Sequence, residues 1–208
     1  MANGPRILVT GFGPFPGAPV NPTQAMVEHF RADPPAPEGL GAFRAAILDV
    51  DYATIGPQLS ALGREFTPDI AIHFGLADPC RGFRLERVAR NRHGSSVFDA
   101  ILDNRGAAPK DRAICAGPQT LPSRLPLDAI AGALSRAGLP IEWSDDAGTY
   151  LCNTAMTLSL AHACEDFTPA MSGFVHVPPV SGEGGMEFDD LVEGARIILE
   201  TCLAHWRG

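Results

Sequence analysis

The chain has 208 residues, 45% of them hydrophobic, and a formal net charge of −8, a composition typical of a single globular domain. Nucleic acids and anionic membranes attract proteins rich in Lys and Arg, so this acidic balance argues against both as partners. The five cysteines form no C-x-x-C pair and no zinc-type spacing with histidine, which argues against a disulfide framework and a metal site. Because no apolar run is long enough for a signal peptide or a membrane span, we expect a reducing, cytoplasmic setting.

Short apolar runs alternate with amphipathic segments along most of the chain. This alternation predicts an α/β fold, with a doubly wound, mostly parallel sheet and helices on both faces, built as one domain over residues 1–208. The predicted strands cover residues 6–9, 43–50, 69–74, 141–143 and 171–177, and the predicted helices cover residues 22–30, 55–66, 125–137, a segment that follows residue 152, and 187–205.

The first strand ends in a glycine- and proline-rich loop, G-F-G-P-F-P-G, at residues 11–17. The glycine spacing does not fit a dinucleotide-binding turn, and helix signals begin only at Asn21, too far away to present a phosphate to a helix N-terminus. We interpret the loop as a rigid support for Phe12 and Phe15. These two rings are expected either to fill the core or to form the walls of an apolar pocket.

Arginines recur between residues 81 and 92, around a single acidic residue, Glu86. The spacing fits a basic helical face or one face of a strand, and a solvated or ion-paired surface is the simplest explanation of it. A carboxylate among arginines stays ionised, so Glu86 is better suited to orienting an imidazole than to donating a proton.

Cys152 lies where a turn gives way to an apolar helix. Thr149 or Asn153 is expected to cap that helix, and the positive end of the helix dipole would stabilise a thiolate in its first turn. The alternative is that Cys152 is a buried cysteine acting as a small hydrophobe.

A cysteine nucleophile needs a base, and His176 near the end of the last predicted strand is the best placed of the six histidines. His73, inside an apolar strand, is expected to be a core residue with satisfied hydrogen bonds. Because ligands bind beyond the carboxyl ends of strands in such sheets, Phe12, His176 and the Cys152 loop should meet at one edge. Glu86, Cys152 and His176 would then form a triad for acyl transfer, with a helix N–H group binding the oxyanion.

Four segments together resemble the signatures of the pyroglutamyl peptidase I family, in the same order and over nearly the whole chain. They are TGFGPFPG with VNPT, LERVARN, DAGTYLCN and GFVHVP. The resemblance implies a cytoplasmic cysteine exopeptidase of α/β/α fold that removes an N-terminal pyroglutamyl residue from small peptides without a cofactor or metal. It also implies a homo-oligomer, since bacterial members commonly form tetramers.

Carried over residue by residue, the resemblance assigns catalysis to Cys152, His176 and Glu86. It implies that the substrate-binding residues are Phe12 and Phe15, which would hold the lactam ring between them, together with Leu76, Tyr150 and Leu151.

The chain departs from the family pattern at three places. Leu76 replaces a glutamine, Cys80 precedes Arg81 where an arginine is usual, and residues 100–104 lack an arginine associated with the oxyanion. Arg90 or Arg92 is a candidate substitute for that arginine. Two other readings of the chain remain: a thiol amidase that acts on a different small cyclic or acyl amide, and a weakly active relative that only binds peptide N-termini.

Overall fold

A six-stranded sheet forms the centre of the computed structural model, which describes residues 4–94, 101–180 and 185–207. The strands in chain order are β1 (Arg6–Phe12), β2 (Ala42–Leu48), β3 (Ile70–Leu76), β4 (Phe83–Glu86), β5 (Val88–Arg90), β6 (Thr120–Pro122), β7 (Ile141–Ser144) and β8 (Met171–Val177). The helices are α1 (Pro22–Ala32), α2 (Ile55–Phe66), α3 (Leu127–Arg136), α4 (Leu151–Ala161) and α5 (Phe188–Ala204).

The strand order of the main sheet is β2-β1-β3-β8-β4-β7, and β5 pairs with β6 in a separate two-stranded ladder. All neighbours in the main sheet are parallel except β8 and β4, which are antiparallel. The connection from Leu76 to Phe83 is too short for a parallel crossover, which needs about a dozen residues, so β4 runs in the reverse direction. The predicted mostly parallel sheet is confirmed, with two reversed strands at one side.

Helices cover both faces of the sheet, as predicted. On one face α1, α3 and α5 bury residues such as Phe30, Leu134 and Ile198, and on the other α2 and α4 bury residues such as Leu59 and Met156. The predicted bounds need small corrections, since β2 ends at Leu48 and α3 begins at Leu127. None of the helices in the described ranges is both long and apolar enough to cross a membrane.

The alternation of side chains along β4 and β8 decides which of them face α4. Phe83, Leu85, Val175 and Val177 all pack in the core on the α5 side. Because successive side chains of a strand point to opposite faces, Arg84, Glu86, Phe174 and His176 project toward the α4 side. The two strands therefore present Glu86 and His176 to the same layer that carries Cys152.

Candidate active site

Cys152 is the second residue of α4, in the first helical turn as the sequence predicts. The N-cap is Tyr150, in an extended conformation, and no side chain in the described part of the chain caps this end. The prediction that Thr149 or Asn153 serves as the cap is therefore wrong. The first backbone N–H groups of α4 have no intrahelical acceptor, so they remain available to an anion beside Cys152.

The side chain of Asn153 is used elsewhere, which explains why it does not cap the helix. It is fully buried, accepts the Arg90 backbone N–H at 2.9 Å, and donates to the carbonyls of Arg90 at 2.7 Å and Arg92 at 3.1 Å. These bonds tie the first turn of α4 to β5, the strand that follows Glu86. Sequence reasoning missed this role because the bonded partners lie more than 60 residues away.

Glu86 and His176 form a buried pair below α4. The His176 Nδ1 atom and the Glu86 Oε1 atom are 2.8 Å apart. The Glu86 side chain is 1% exposed, and the His176 side chain is 7% exposed. Since Arg84 lies opposite His176 in the antiparallel ladder, Glu86 is the diagonal neighbour of His176 on the same face, within reach of a long side chain. The structure therefore brings the two predicted residues together across neighbouring strands.

The His176 imidazole also lies within hydrogen-bonding distance of the Cys152 side chain. Burial lowers the pKa of His176. The charge of the Cys152 sulfur and its hydrogen bond to the ring raise this pKa, and so does the Glu86 carboxylate, so that the overall value is about 9. Nδ1 is committed to Glu86, so the imidazolium has Nε2–H left to donate to Cys152. Protonated His176 is therefore the form present near neutral pH, and it is the form that stabilises a neighbouring thiolate.

Gly75 leaves the space that the Cys152 sulfur occupies. A Cβ atom at this position of β3 would lie 2.8 Å from Cys152 Sγ and 2.8 Å from the Phe174 ring, closer than a Cβ atom approaches other heavy atoms in proteins. Gly75 lies opposite His176 in the β3–β8 ladder. The absence of a side chain at residue 75 therefore lets the thiol lie directly over the sheet, beside the imidazole.

We expect Gly75→Ala to slow alkylation of Cys152 by iodoacetamide about tenfold or more, because the new methyl group displaces the sulfur from its place beside His176. The measurement is the labelling rate of Cys152, followed by peptide mass spectrometry. Gly132→Ala on α3 is the matched control, since its Cβ meets only the flexible end of Arg136 at 3.3 Å. Equal labelling rates in both variants would show that Gly75 does not control the position of the thiol.

A cavity of about 800 Å³ opens above these residues. The predicted residues that line it are Phe12, Phe15, Leu76, Tyr150, Leu151, Cys152 and His176. Glu86 does not line the cavity and lies behind His176, fully buried. The candidate site residues thus meet at the carboxyl ends of β1, β3 and β8, the edge where the sequence predicts a ligand site.

The two phenylalanines of the first loop occupy different environments. Phe12 is only 2% exposed, and its ring centroid lies 6.4 Å from that of Phe174, so it fills the core as well as lining the cavity. Phe15 is half-buried and packs against Tyr150 at 5.9 Å. Both alternatives predicted for the loop, filling the core and lining a pocket, are thus represented.

Ion pairs occupy most of the arginines between residues 81 and 92, in agreement with an ion-paired surface. Arg87 pairs with Asp145, and Arg90 lies 3.5 Å from Asp146. Arg90 and Arg92 line a separate cavity of about 620 Å³, so the structure brings neither of them to Cys152.

Arg84, which sequence reasoning did not single out, is the arginine that lines the Cys152 cavity. It pairs with Glu142 at 2.9 Å. Of the segment in which the family arginine is missing, Ala100 lies outside the described residues and Ile101 lines the cavity. Arg84 and Glu86 are two residues apart on the short strand β4, so their side chains lie on the same face of the sheet. This spacing could have identified Arg84 from the sequence if the strand and its direction had been known.

His73 lies in the core, as predicted, but only one of its ring nitrogens has a partner among the described residues. Nδ1 is 2.7 Å from the Thr10 hydroxyl, and Nε2 is buried without one. Burial lowers the pKa of His73 to about 4, so the ring is neutral. Within the described ranges no group of three or more His, Cys, Asp and Glu residues is arranged to hold a metal ion.

Comparisons with known proteins find relatives along nearly the whole chain. The family model for pyroglutamyl peptidase matches residues 5–201. The pyrrolidone-carboxylate peptidase of Pyrococcus furiosus is 37% identical over 210 residues, covering 95% of this chain and 98% of the relative, and pyrrolidone-carboxylate peptidase 1 of Ralstonia nicotianae is 37% identical over 213 residues, covering 96% and 93%.

Two solved structures also superpose on nearly the whole chain. A mutant pyrrolidone carboxyl peptidase from Pyrococcus furiosus superposes with a TM-score of 0.85 at 32% identity, covering 96% of this chain and 99% of that one. The pyrrolidone carboxyl peptidase from Thermus thermophilus superposes with a TM-score of 0.81 at 35% identity, covering 94% and 99%.

Proposed function

Because the chain belongs to the pyroglutamyl peptidase family, we propose that it is a cysteine peptidase that removes N-terminal pyroglutamate from peptides, with Cys152, His176 and Glu86 as the catalytic residues. The observation that supports this assignment most directly is the buried Glu86–His176 pair beside Cys152, at the floor of a cavity. A nucleophile, a base and an orienting carboxylate are the groups that acyl transfer through a thioester requires.

In the proposed mechanism the Cys152 thiolate attacks the pyroglutamyl carbonyl carbon. The developing oxyanion accepts hydrogen bonds from the uncapped N–H groups at the start of α4. The His176 imidazolium then donates its proton to the leaving amine, and the C–N bond breaks to give a thioester on Cys152. Neutral His176 next removes a proton from a water molecule that attacks the thioester and releases pyroglutamate, while Glu86 holds the ring in place throughout.

The backbone of β3 offers groups for recognising the lactam, although the usual glutamine side chain is replaced by Leu76. Ala77 donates its N–H to Val177 on β8 at 3.0 Å. Because backbone groups alternate sides along a strand, those of Leu76 point toward β1. The β1–β3 ladder ends at Thr10 and His73, so the Leu76 N–H and C=O lie beyond its last pair, at the cavity. A lactam N–H and C=O are suitable partners for them.

We expect a preference for pyroglutamyl over prolyl substrates of roughly 10⁴, since a site that hydrogen-bonds the lactam leaves its own groups unpaired when proline binds, and must also desolvate a cationic amine. The assay compares fluorogenic pyroglutamyl, prolyl and alanyl amides. A ratio below about tenfold would favour the thiol amidase with a different small amide as its substrate. Binding without turnover of any of them would favour the relative that only binds peptide N-termini.

The raised pKa of His176 predicts the alkaline limit of activity. Protonated His176 is needed to release the amine, and its pKa of about 9 means that this proton is lost as the pH rises through that value. We therefore expect kcat/KM to be maintained through neutral pH and to fall on the alkaline side near pH 9, with an apparent pKa that belongs to the Cys152–His176 pair. A fall centred near pH 6.5 would contradict a stabilised imidazolium.

We also infer that the chain acts as one domain in the cytoplasm, as a homo-oligomer and without a cofactor. Both helical layers pack on the same sheet, and the five cysteines are all free, as suits a reducing compartment. The oligomer rests on the resemblance to the family. Light scattering coupled to size-exclusion chromatography would decide between a monomer and a tetramer.

A further inference from the structure

The outer part of the catalytic cavity carries exposed apolar side chains. Among the described residues only four large hydrophobic side chains are exposed: Val20, Ile101, Leu102 and Trp143. Val20 is 75% exposed and Ile101 is 50% exposed, and both line the cavity that contains Cys152. Exposed aliphatic side chains that share the wall of a cavity indicate a binding surface more strongly than scattered ones do.

The cavity is too large for a lactam ring alone. Volumes of roughly 300 to 1,000 Å³ accommodate ligands of drug size, and this cavity measures about 800 Å³. A five-membered ring fills only a small part of that space. The remainder must receive the part of the peptide that follows the pyroglutamyl residue.

Ile101 is held in place by the backbone around it. The Tyr52 hydroxyl donates to the Ile101 carbonyl at 3.1 Å, and the Tyr150 hydroxyl donates to the next carbonyl along the chain at 3.0 Å. Asp103 is 2% exposed, and its carboxylate accepts the N–H groups of Tyr52, Arg105 and Ala107. A side chain on such an anchored segment is already in position before a ligand binds.

The charged groups of the cavity favour an apolar side chain over an acidic one in a bound peptide. Arg84 is paired with Glu142, and Asp146 lies 3.5 Å from Arg90, so neither presents a free charge of the kind that would attract an ionised side chain. The remaining acid that lines the cavity is Asp78, an exposed residue. Its carboxylate would repel an acidic side chain at the second position of a peptide.

From these observations we propose that Val20 and Ile101 form the subsite for the side chain of the residue that follows pyroglutamate, and that this subsite selects aliphatic side chains. The proposal rests on the proposed function. It narrows the substrate class from pyroglutamyl peptides in general to those with a leucine-like residue in second place.

The test compares four substrates that differ only in the second residue: pyroglutamyl-leucine, -serine, -lysine and -aspartate amides. We expect kcat/KM for the leucyl amide to exceed that for the seryl amide about tenfold, because roughly half of a leucine side chain would be removed from water. The aspartyl amide should be the poorest substrate. Faster cleavage of the lysyl than the leucyl amide would overturn the proposal and assign the selection to Asp78.

Two variants test whether the selection depends on Ile101 itself or on any apolar residue of the same segment. Ile101→Ser should reduce the leucyl-to-seryl ratio to about twofold, because the leucyl amide loses the apolar surface that it contacts. Leu102→Ser is the matched control, since Leu102 is 48% exposed and does not line the cavity, and it should keep the wild-type ratio. An equal loss in both variants would refute the subsite.

Failure of the subsite and failure of the proposed function give different results. If a folded wild-type protein cleaves none of the four amides, the peptidase assignment itself is wrong. If it cleaves all four at similar rates, the peptidase assignment holds and the aliphatic subsite is refuted.

Discussion

Cys152→Ala should lower kcat/KM for a pyroglutamyl amide by at least about 10⁴ while leaving the fold unchanged. The methyl group of alanine fits where the half-buried Cys152 stands, so the packing under α4 is kept. What disappears is the sulfur beside His176, and without a nucleophile no thioester forms. The measurement is the steady-state rate on a fluorogenic pyroglutamyl amide, together with a thermal unfolding curve.

Cys115→Ala is the matched control for this variant. Cys115 is also half-buried, but it lines the separate cavity with Arg90 and Arg92. It should retain the wild-type rate. Iodoacetamide should inactivate the wild type through Cys152, since burial raises the pKa of Cys164 to about 11 and also raises that of Cys202. Retained turnover in Cys152→Ala would remove this residue from the mechanism.

His176→Ala should be more damaging than Glu86→Gln. Loss of the imidazole removes both the stabilising cation and the proton donor, and should cost roughly 10³ to 10⁴ in kcat/KM. The Glu86→Gln side chain keeps an oxygen that can accept the Nδ1 proton, so the ring stays oriented and the cost should be roughly ten- to a hundredfold. The measurement is the pH dependence of kcat/KM in both variants and the wild type.

The pH profile distinguishes an electrostatic role of Glu86 from a packing role. The hydrogen bond and charge of Glu86 help to raise the pKa of His176, so Glu86→Gln should lower that pKa and move the alkaline limit of activity to lower pH. Glu142→Gln, which alters a carboxylate that pairs with Arg84 on the same sheet, should leave the limit in place. If Glu86→Gln proved the more damaging change, the base and its orienting group would have to be reassigned.

The sequence predicted the features that depend on local pattern. The alternation of apolar runs gave the α/β layers, and the turn before an apolar segment placed Cys152 in the first turn of α4. His176 was found because it lies near the end of an apolar run. In each case the sequence pattern lies within about ten residues of the feature. Hydrophobic periodicity and turn-forming residues determine structure over such short distances along the chain.

The features that the sequence did not reveal depend on distant residues. Asn153 has the residue type of a helix cap, but its partners are the backbone groups of Arg90 in β5 and of Arg92 just after it, and no local pattern indicates that the amide is used there. The role of Gly75 depends on where α4 places the Cys152 sulfur. The position of Ile101 depends on hydrogen bonds that the Tyr52 and Tyr150 hydroxyls donate to the backbone of its segment. Long-range placement of this kind follows from the assembled fold and not from residue spacing.

The position of the Glu86–His176 pair within the sheet has a consequence for local opening. β8 lies between β3 and β4, and β4 lies between β8 and β7, so both residues are on interior strands. In general the free energy of local opening is highest for core strands, where it approaches that of global unfolding, and lowest for irregular surface segments. Val20 and Ile101 lie outside the helices and strands. We therefore expect the Glu86–His176 pair to separate only when the core of the domain opens, whereas Val20 and Ile101 lie on segments outside that core.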